Sequence, residues 1–224
     1  MTFSIVAKCK RTGQFGVGAM TAMPAVGKFL THAWPRTGAI ATQALVNPYL
    51  GIDGIAELRE GLDADQVAES LKQDDPEIER RQFAVVDRDG HVAAHTGKEC
   101  LSWAGHRPGD GYCVLGNRLE GPQVLDALEK TLLATSELRL ADRLVDALAA
   151  GYAAGGDKKR ERSATIFVVD SEEYPLWDVR IDEHEDPVAE LRRVHAVFGR
   201  DLYQHILEMP KRAQAQQGPK DISA

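Results

Sequence analysis

The sequence predicts an α+β protein: a four-layer α-β-β-α sandwich in which two antiparallel sheets are covered by pairs of helices. Three observations favour this class. Segments with strand periodicity come in adjacent pairs that suit antiparallel hairpins, and amphipathic segments with helical periodicity come in pairs between them. The strand–helix–strand alternation of a doubly wound parallel sheet is absent. No segment has linker composition, so we expect one domain over residues 1–208 and a flexible tail over 209–224.

About eight strands are predicted. The first occupies residues 1–9, where apolar and polar side chains alternate from Thr2 onwards, and the order of elements makes it a central strand. Gly16 and Gly18 alternate in the second strand, so another element must pack closely against that face. The fourth and fifth strands form the clearest hairpin, because Asp89–Gly90 separates two apolar runs. The strands after the first lie at 14–21, 39–46, 81–87, 91–96, 112–117, 163–170 and 176–182.

Five amphipathic helices complete the pattern. The second begins at a capping box formed by Asp63 and Gln66, and Gly61 closes the helix before it. The loop-rich composition of residues 97–110 predicts no regular element there. The helices are expected at 52–60, 63–73, 122–135, 138–154 and 188–207.

Composition excludes several classes of protein. The chain has 224 residues and a net charge of −7, which argues against nucleic acid as a partner. No apolar run reaches the roughly 18 residues of a membrane helix, and basic residues interrupt the apolar start, so no signal peptide is expected. Three widely spaced cysteines form neither a disulfide framework nor a zinc site. We therefore expect a cytoplasmic protein with reduced thiols at Cys9, Cys100 and Cys113.

Thr2 is the first candidate for chemistry. A Thr is small enough that removal of Met1 is expected, which would leave Thr2 as the N-terminal residue. A terminal Thr carries its own base, because the free α-amine can take the hydroxyl proton. The alternative is that Thr2 is an ordinary residue of the first strand with no catalytic role.

The element order with a Thr at the start of the first strand resembles the N-terminal nucleophile (Ntn) hydrolases, such as proteasome subunits. A closer resemblance is to an uncharacterised bacterial family of that superfamily, the domain of unknown function 1028. This resemblance covers nearly the whole chain and implies the four-layer sandwich, but it implies no particular activity. It rests on blocks that are specific only together: 2–7, 25–27, 38–44, 47–48, 79–82, 96–97, 103–106, 116–117, 153–157, and 178–182 before His184.

The resemblance leads to an amidohydrolase hypothesis with Thr2 as nucleophile. The Thr2 α-amine, with a pKa near ~8, would act as base. Backbone N–H groups or the side-chain amide of Asn117 would hold the oxyanion. Lys28 would lower the pKa of the amine as a second cation. Residues 21–24 and 160–163 depart from the family pattern, and a different substrate or a reduced activity is expected if they line the pocket.

Two pairs of residues are candidates for substrate binding. Thr42 and Gln43 are the polar members of an otherwise apolar predicted strand, and buried polar groups need partners. They could form the wall of a site or satisfy purely structural hydrogen bonds. Asp157 and Arg160 follow a Gly–Gly pair and could bind an anion, although a helix C-cap explains the glycines equally well.

A metal site and a non-catalytic role are the alternatives. Asp178, Asp182 and His184 crowd the end of the last strand and could bind a hard cation. Ion pairs with Arg180 explain the same pattern, so we predict no metal and no cofactor. A ligand-binding or scaffold protein would keep the fold without the reaction. We expect a homo-oligomer with a small-molecule or peptide-like ligand and no nucleic-acid or membrane partner.

Overall fold

A computed structural model describes residues 2–155 and 161–212, and within them the chain forms ten strands and six α-helices. The strands are β1 Thr2–Lys8, β2 Phe15–Thr21, β3 Thr31–Trp34, β4 Gly38–Ala44, β5 Arg81–Asp87, β6 Val92–Thr96, β7 Gly105–Gly109, β8 Tyr112–Asn117, β9 Ser163–Val169 and β10 Trp177–Ile181. The helices are α1 Tyr49–Glu60, α2 Ala64–Asp74, α3 Gln123–Ala134, α4 Leu140–Ala153, α5 Pro187–Asp201 and α6 Tyr203–Leu207.

The strands form two antiparallel sheets, which confirms the predicted α+β class. One sheet has six strands in the order β10-β9-β2-β1-β8-β7, and the other has four in the order β3-β4-β5-β6. β1 lies in the interior of the larger sheet, between β2 and β8. The predicted hairpin of β5 and β6 is present, with Val86 opposite Val92.

Two strands were not predicted, and both lie at sheet edges. β3 lies between the predicted strands at 14–21 and 39–46, and β7 falls within residues 97–110, where no regular element is expected. An edge strand is hydrogen-bonded on one side only, so weak periodicity and even Pro108 are tolerated in β7. The prediction of one continuous last helix is also wrong, because the segment forms two helices, α5 and α6, that are separated at Leu202.

Three apolar clusters hold the elements together. Phe3 and Ile5 of β1 pack with side chains of α3 and α4. The opposite face of β1, which carries Val6, packs on small residues of the four-stranded sheet such as Ala39 and Ala41. The outer face of that smaller sheet packs on α1 and α2. β1 is therefore buried on both faces, and the period of two assigns its side chains to different clusters.

The small residues of β2 have the predicted purpose. A Cβ built on Gly16 would lie 3.0 Å from Leu140 Cδ2 and from Leu144 Cδ1, and one built on Gly18 would lie 3.2 Å from Leu148 Cδ1. α4 thus packs directly on the backbone of β2. A larger residue at either position would push the helix away from the sheet.

Local capping follows the sequence closely. Gly61 ends α1 with φ 107°, and the Asp63–Gln66 capping box begins α2. None of the helices in ranges 2–155 and 161–212 has the length and apolar character needed to cross a lipid bilayer. At the C-terminal end, Met209 packs against the first cluster and Arg212 pairs with Glu173. The rest of the expected tail, residues 213–224, lies outside the described residues.

Candidate active site

A cavity of about 270 Å³ opens at the start of β1 and contacts Thr2. Thr42 and Gln43 at the end of β4 line the same cavity, so the structure brings together three of the predicted site residues. None of its twelve lining residues is charged. The apolar part of the wall consists of Met23, Pro24, Val26, Phe29, Leu30 and Val46.

Sheet pairing holds Thr2 in place on both sides. Its backbone lies opposite Thr21 in β2 and Asn117 in β8. The Thr2 Oγ1 and Thr21 Oγ1 atoms are 3.1 Å apart, a hydrogen-bond distance at which either hydroxyl can donate. Thr2 is only 7% exposed. Its hydroxyl is therefore fixed at the edge of the cavity by a partner that is itself uncharged.

A buried chain of amides lies beneath this end of the sheets. Ser4 Oγ donates to Gln43 Oε1 at 2.7 Å, and Gln43 Nε2 donates to Gln82 Oε1 at 2.7 Å. The same Gln82 oxygen accepts from Asn117 Nδ2 at 3.0 Å. These four residues come from β1, β4, β5 and β8, so the network joins the two sheets. Buried hydrogen bonds of this kind restrict the motion of the strands that carry them.

The network continues from Gln82 towards His106. Gln82 Nε2 lies within 3.0 Å of three acceptors, which are Thr96 Oγ1 and the carbonyls of Gly105 and Gly116. Thr96 Oγ1 in turn lies 2.8 Å from His106 Nδ1. Burial lowers the pKa of His106, and the nearby His95 lowers it further. His106 is therefore neutral at pH 7, when its ring can accept a hydrogen bond as well as donate one.

Asn117 lines a second cavity, of about 280 Å³. Ala44 lines both cavities, so they adjoin at the end of β4. The second cavity differs in character, because Arg80, Glu99 and Arg118 give it charge. The amide of Asn117 donates one hydrogen to Gln82, and no residue in the described part of the chain accepts the second.

Unusual backbone conformations collect around Thr2. Ala25, Ala44 and Arg118 have φ values of 59°, 73° and 58°, and each lines one of the two cavities. A side chain in this left-handed region costs roughly 1 kcal/mol or more. The surrounding structure must offset that cost, and such strain is more frequent at functional sites than elsewhere.

Ser163 fixes the loop that forms one wall of the first cavity. Its buried Oγ donates to the Met23 carbonyl at 2.6 Å and accepts from the Val26 N–H at 3.1 Å. Thr21, Met23 and Pro24 of the segment 21–24 thus line the cavity.

Other predicted residues lie elsewhere. Lys28 is exposed, with its ammonium 5.2 Å from the centre of the Phe29 ring, and it does not line the Thr2 cavity. The role predicted for Lys28 stays a prediction. Asp157 and Arg160 lie outside the described residues.

The acidic residues at the end of β10 do not converge. Arg180 Nε lies 3.3 Å from Asp178 Oδ1, as expected for the ion-pair interpretation, and His184 Nδ1 accepts from the Asp186 N–H. Burial raises the pKa of Asp178, with a further increase from Asp182 that opposes the effect of Arg180. Within ranges 2–155 and 161–212, one group has ligand atoms close enough for a metal, formed by Asp87, Asp89 and His91 in a turn.

Sequence reasoning missed three residues of the site: Thr21, Gln82 and Ser163. Gln82 carries the same signal that identified Gln43, a polar side chain in an apolar strand. The role of Thr21 depends on its register opposite Thr2, and that of Ser163 on contacts more than 130 residues away in sequence. No local pattern contains that information.

Comparisons with solved structures find proteins at very different levels of similarity. Protein SPO2555 from Silicibacter pomeroyi, whose crystal structure is described with the family model DUF1028, superposes with a TM-score of 0.84. The two chains are 28% identical, and the superposition covers 92% of each. Anbu from Hyphomicrobium sp. strain MC1, as a Gly-1 mutant, gives a TM-score of 0.42 at 12% identity, covering 94% of this chain and 99% of that one. Anbu (ancestral beta-subunit) from Yersinia bercovieri gives a TM-score of 0.44 at 10% identity, covering 93% of this chain and 98% of that one.

A comparison with curated proteins finds no match. The family model "Family of unknown function (DUF1028)" matches residues 2–191, which is most of the chain. The likeness to SPO2555 extends over the same region. The chain therefore belongs to the family of unknown function DUF1028.

Proposed function

We propose that this protein is an Ntn-type amidohydrolase with Thr2 as its nucleophile, built on a four-layer α-β-β-α sandwich. The observation that carries the proposal is the position of the Thr2 hydroxyl, at the open end of a central strand and on the wall of a cavity without charged lining. A rigid amide network lies directly beneath it. Such preorganisation is what an acyl-transfer site requires.

The reaction begins once Met1 has been removed. The α-amine of Thr2 takes the hydroxyl proton as Oγ1 attacks the amide carbonyl. The oxyanion of the tetrahedral intermediate accepts hydrogen bonds from the free N–H of the Asn117 amide or from backbone N–H groups. The protonated amine then gives its proton to the leaving nitrogen, and the C–N bond breaks. Water hydrolyses the remaining Thr2 ester by the same base, which regenerates the enzyme.

A binding protein that has kept the fold is the second candidate. It is favoured by one observation: Lys28 is exposed and does not line the cavity, so no lining residue supplies a cation to lower the pKa of the amine. This candidate predicts that ligands occupy the Thr2 cavity without turnover.

The test combines mass spectrometry with kinetics. Intact mass would first identify protein in which Thr2 is the terminal residue. A panel of amide substrates would then be offered to wild type, Thr2→Ser, Thr2→Ala and the exposed-turn control Thr12→Ala. We expect activity in wild type, Thr2→Ser and the control, and a loss of about 10³-fold or more in Thr2→Ala. Equal rates in wild type and Thr2→Ala would eliminate Thr2 as nucleophile, and retention of Met1 by active protein would do the same.

Several expectations remain part of this proposal. A single domain over residues 1–208 would form a homo-oligomer in the bacterial cytoplasm and act on a small-molecule or peptide-like ligand. Light scattering of the purified protein would give the oligomeric state. A monomeric mass would contradict that part without affecting the assignment of Thr2.

A further inference from the structure

We infer that the substrate is an N-acyl amino acid, with an apolar acyl group in the Thr2 cavity and a carboxylate bound by Arg118 in the adjoining cavity. This inference rests on the proposed function and specifies its substrate class. It follows from three features of the two cavities: the apolar wall of one, a cation in the other that has no partner within residues 2–155 and 161–212, and the residue Ala44 that the cavities share.

The Thr2 cavity suits an apolar acyl group of moderate size. Its wall is formed by uncharged residues, and Phe29, Val46 and Met23 remain 46%, 41% and 65% exposed. Burying a ligand methylene here would contribute ~0.8 kcal/mol. A charged acyl group would lose its hydration and gain no ionic partner from this wall. The volume of about 270 Å³ leaves room for an apolar acyl group beside Thr2.

The adjoining cavity offers a cation without a partner. Arg118 is half-buried, and among the residues that the structure describes none forms a hydrogen bond or ion pair with its guanidinium. Arg80 in the same cavity differs, because it pairs with Glu77 at 2.5 Å. A partly desolvated, unpaired guanidinium is a strong site for a carboxylate, which it can bind through two parallel hydrogen bonds.

The junction of the cavities places the scissile bond. Asn117 lies opposite Thr2 in the β1–β8 register, and Arg118 follows it directly. Ala44 borders both cavities. An amide at Thr2 therefore has its acyl side in the apolar cavity and its amine side towards Arg118. The acyl group stays on Thr2 as an ester while the free amino acid leaves through the second cavity.

Glu99 limits which amino acids fit. Its carboxylate lines the second cavity and is exposed at the rim. A second carboxylate on the leaving group would be repelled there, so amino acids with neutral side chains are preferred over Asp and Glu. The substrate class is thus an apolar acyl group on a monocarboxylic amino acid.

The experiment uses matched ligands and full-length protein. N-hexanoyl-alanine is compared with N-hexanoyl-alanine amide, which lacks the carboxylate, and with N-succinyl-alanine, which carries a charged acyl group. Alanine or alaninamide release reports turnover by wild type, Arg118→Gln and the surface control Arg192→Gln. Calorimetry on Thr2→Ala protein, with and without Arg118→Gln, reports binding in the absence of chemistry.

We expect hexanoyl-alanine to exceed both analogues by about tenfold or more in kcat/KM, as charge-assisted hydrogen bonds predict. Arg118→Gln should remove the preference over the alaninamide analogue, and Arg192→Gln should not. Equal turnover of N-hexanoyl-alanine and its amide analogue would overturn this inference and leave the proposed function intact. Arg118-dependent binding without turnover in wild type would support the inference and overturn the proposed function. Absence of binding at millimolar hexanoyl-alanine would overturn the inference.

Discussion

Asn117 donates its side-chain amide to Gln82 Oε1 at 3.0 Å while its backbone lies opposite Thr2 in the central sheet. One of the two residues that lie opposite the candidate nucleophile is therefore hydrogen-bonded to a strand of the other sheet. Both side chains are almost completely buried. The position of the Thr2 terminus relative to β4 and β5 depends on this contact between Asn117 and Gln82.

Gln82→Leu should destabilise the fold. The substitution keeps the volume but removes the acceptor of Gln43 Nε2 and Asn117 Nδ2, so two buried donors lose their partner. We expect a loss of about 2–4 kcal/mol in the free energy of unfolding, measured by denaturant titration. The control is Gln73→Leu on the exposed face of α2, where a change within about 0.5 kcal/mol is expected. Equal stability of the two variants would contradict a structural role for the network.

Two glycine substitutions should change the free energy of unfolding in opposite directions. A Cβ at Gly97 would lie 2.2 Å from the Glu79 carbonyl oxygen, so Gly97→Ala forces backbone to move and should cost about 2 kcal/mol or more. At Gly199 within α5 the nearest atom is 3.4 Å away. Gly199→Ala should stabilise by about 0.5–1 kcal/mol through helix propensity. Thermal unfolding of both variants checks the pair, and a stable Gly97→Ala would show that the 79–97 contact is loose.

Asp75 should make stability depend on acid pH. Burial alone would raise the pKa of Asp75, but hydrogen bonds from Asn47, Arg81 and the Glu77 N–H outweigh it and lower the pKa below the ordinary 3.8. A lowered folded-state pKa stabilises the fold fully above the unfolded value, and that contribution disappears as pH falls through the folded value. Asp75→Asn should therefore cost about 1–3 kcal/mol at neutral pH, and the difference from wild type should shrink below pH 3.8.

The comparison for Asp75 is Asp201→Asn, since Asp201 forms an exposed pair with Arg200 and solvent screens it. We expect no measurable change in that variant. Arg81 also donates at 2.6 Å to the carbonyl of Leu45, which lines the second cavity. A pH-independent difference between Asp75→Asn and wild type would show that the carboxylate charge does not stabilise this region.

The thiols should differ in reactivity. Cys9 and Cys113 are at most 1% exposed, and burial, with a further contribution from Glu129, raises the pKa of Cys113 to about 12. Cys100 is half-buried in the second cavity, and burial raises its pKa as well. Native protein should therefore show one slowly reacting thiol, and unfolded protein should show three. Cys100→Ser should remove the native reaction, and rapid labelling of that variant would contradict the packing of Cys9 and Cys113.

Much of the architecture could be read from local patterns. The interior strand β1, the Asp89–Gly90 hairpin, the capping box at Asp63 and the close packing on Gly16 all depend on neighbours in sequence or on period-two alternation. The edge strands β3 and β7 were missed, because a strand paired on one side needs neither strong alternation nor the absence of proline.

The sequence by itself determined the α+β class, the burial of β1 and the candidacy of Thr2, because hydrophobic periodicity and the chemistry of a terminal Thr are local properties. Only the tertiary structure decided which side chains meet Thr2. Thr21 and Asn117 flank that terminus through sheet register, and Gln82 of the other sheet hydrogen-bonds Asn117. The burial that makes these contacts strong depends on elements up to 140 residues apart, such as Met23 and Ser163, which no sequence window contains.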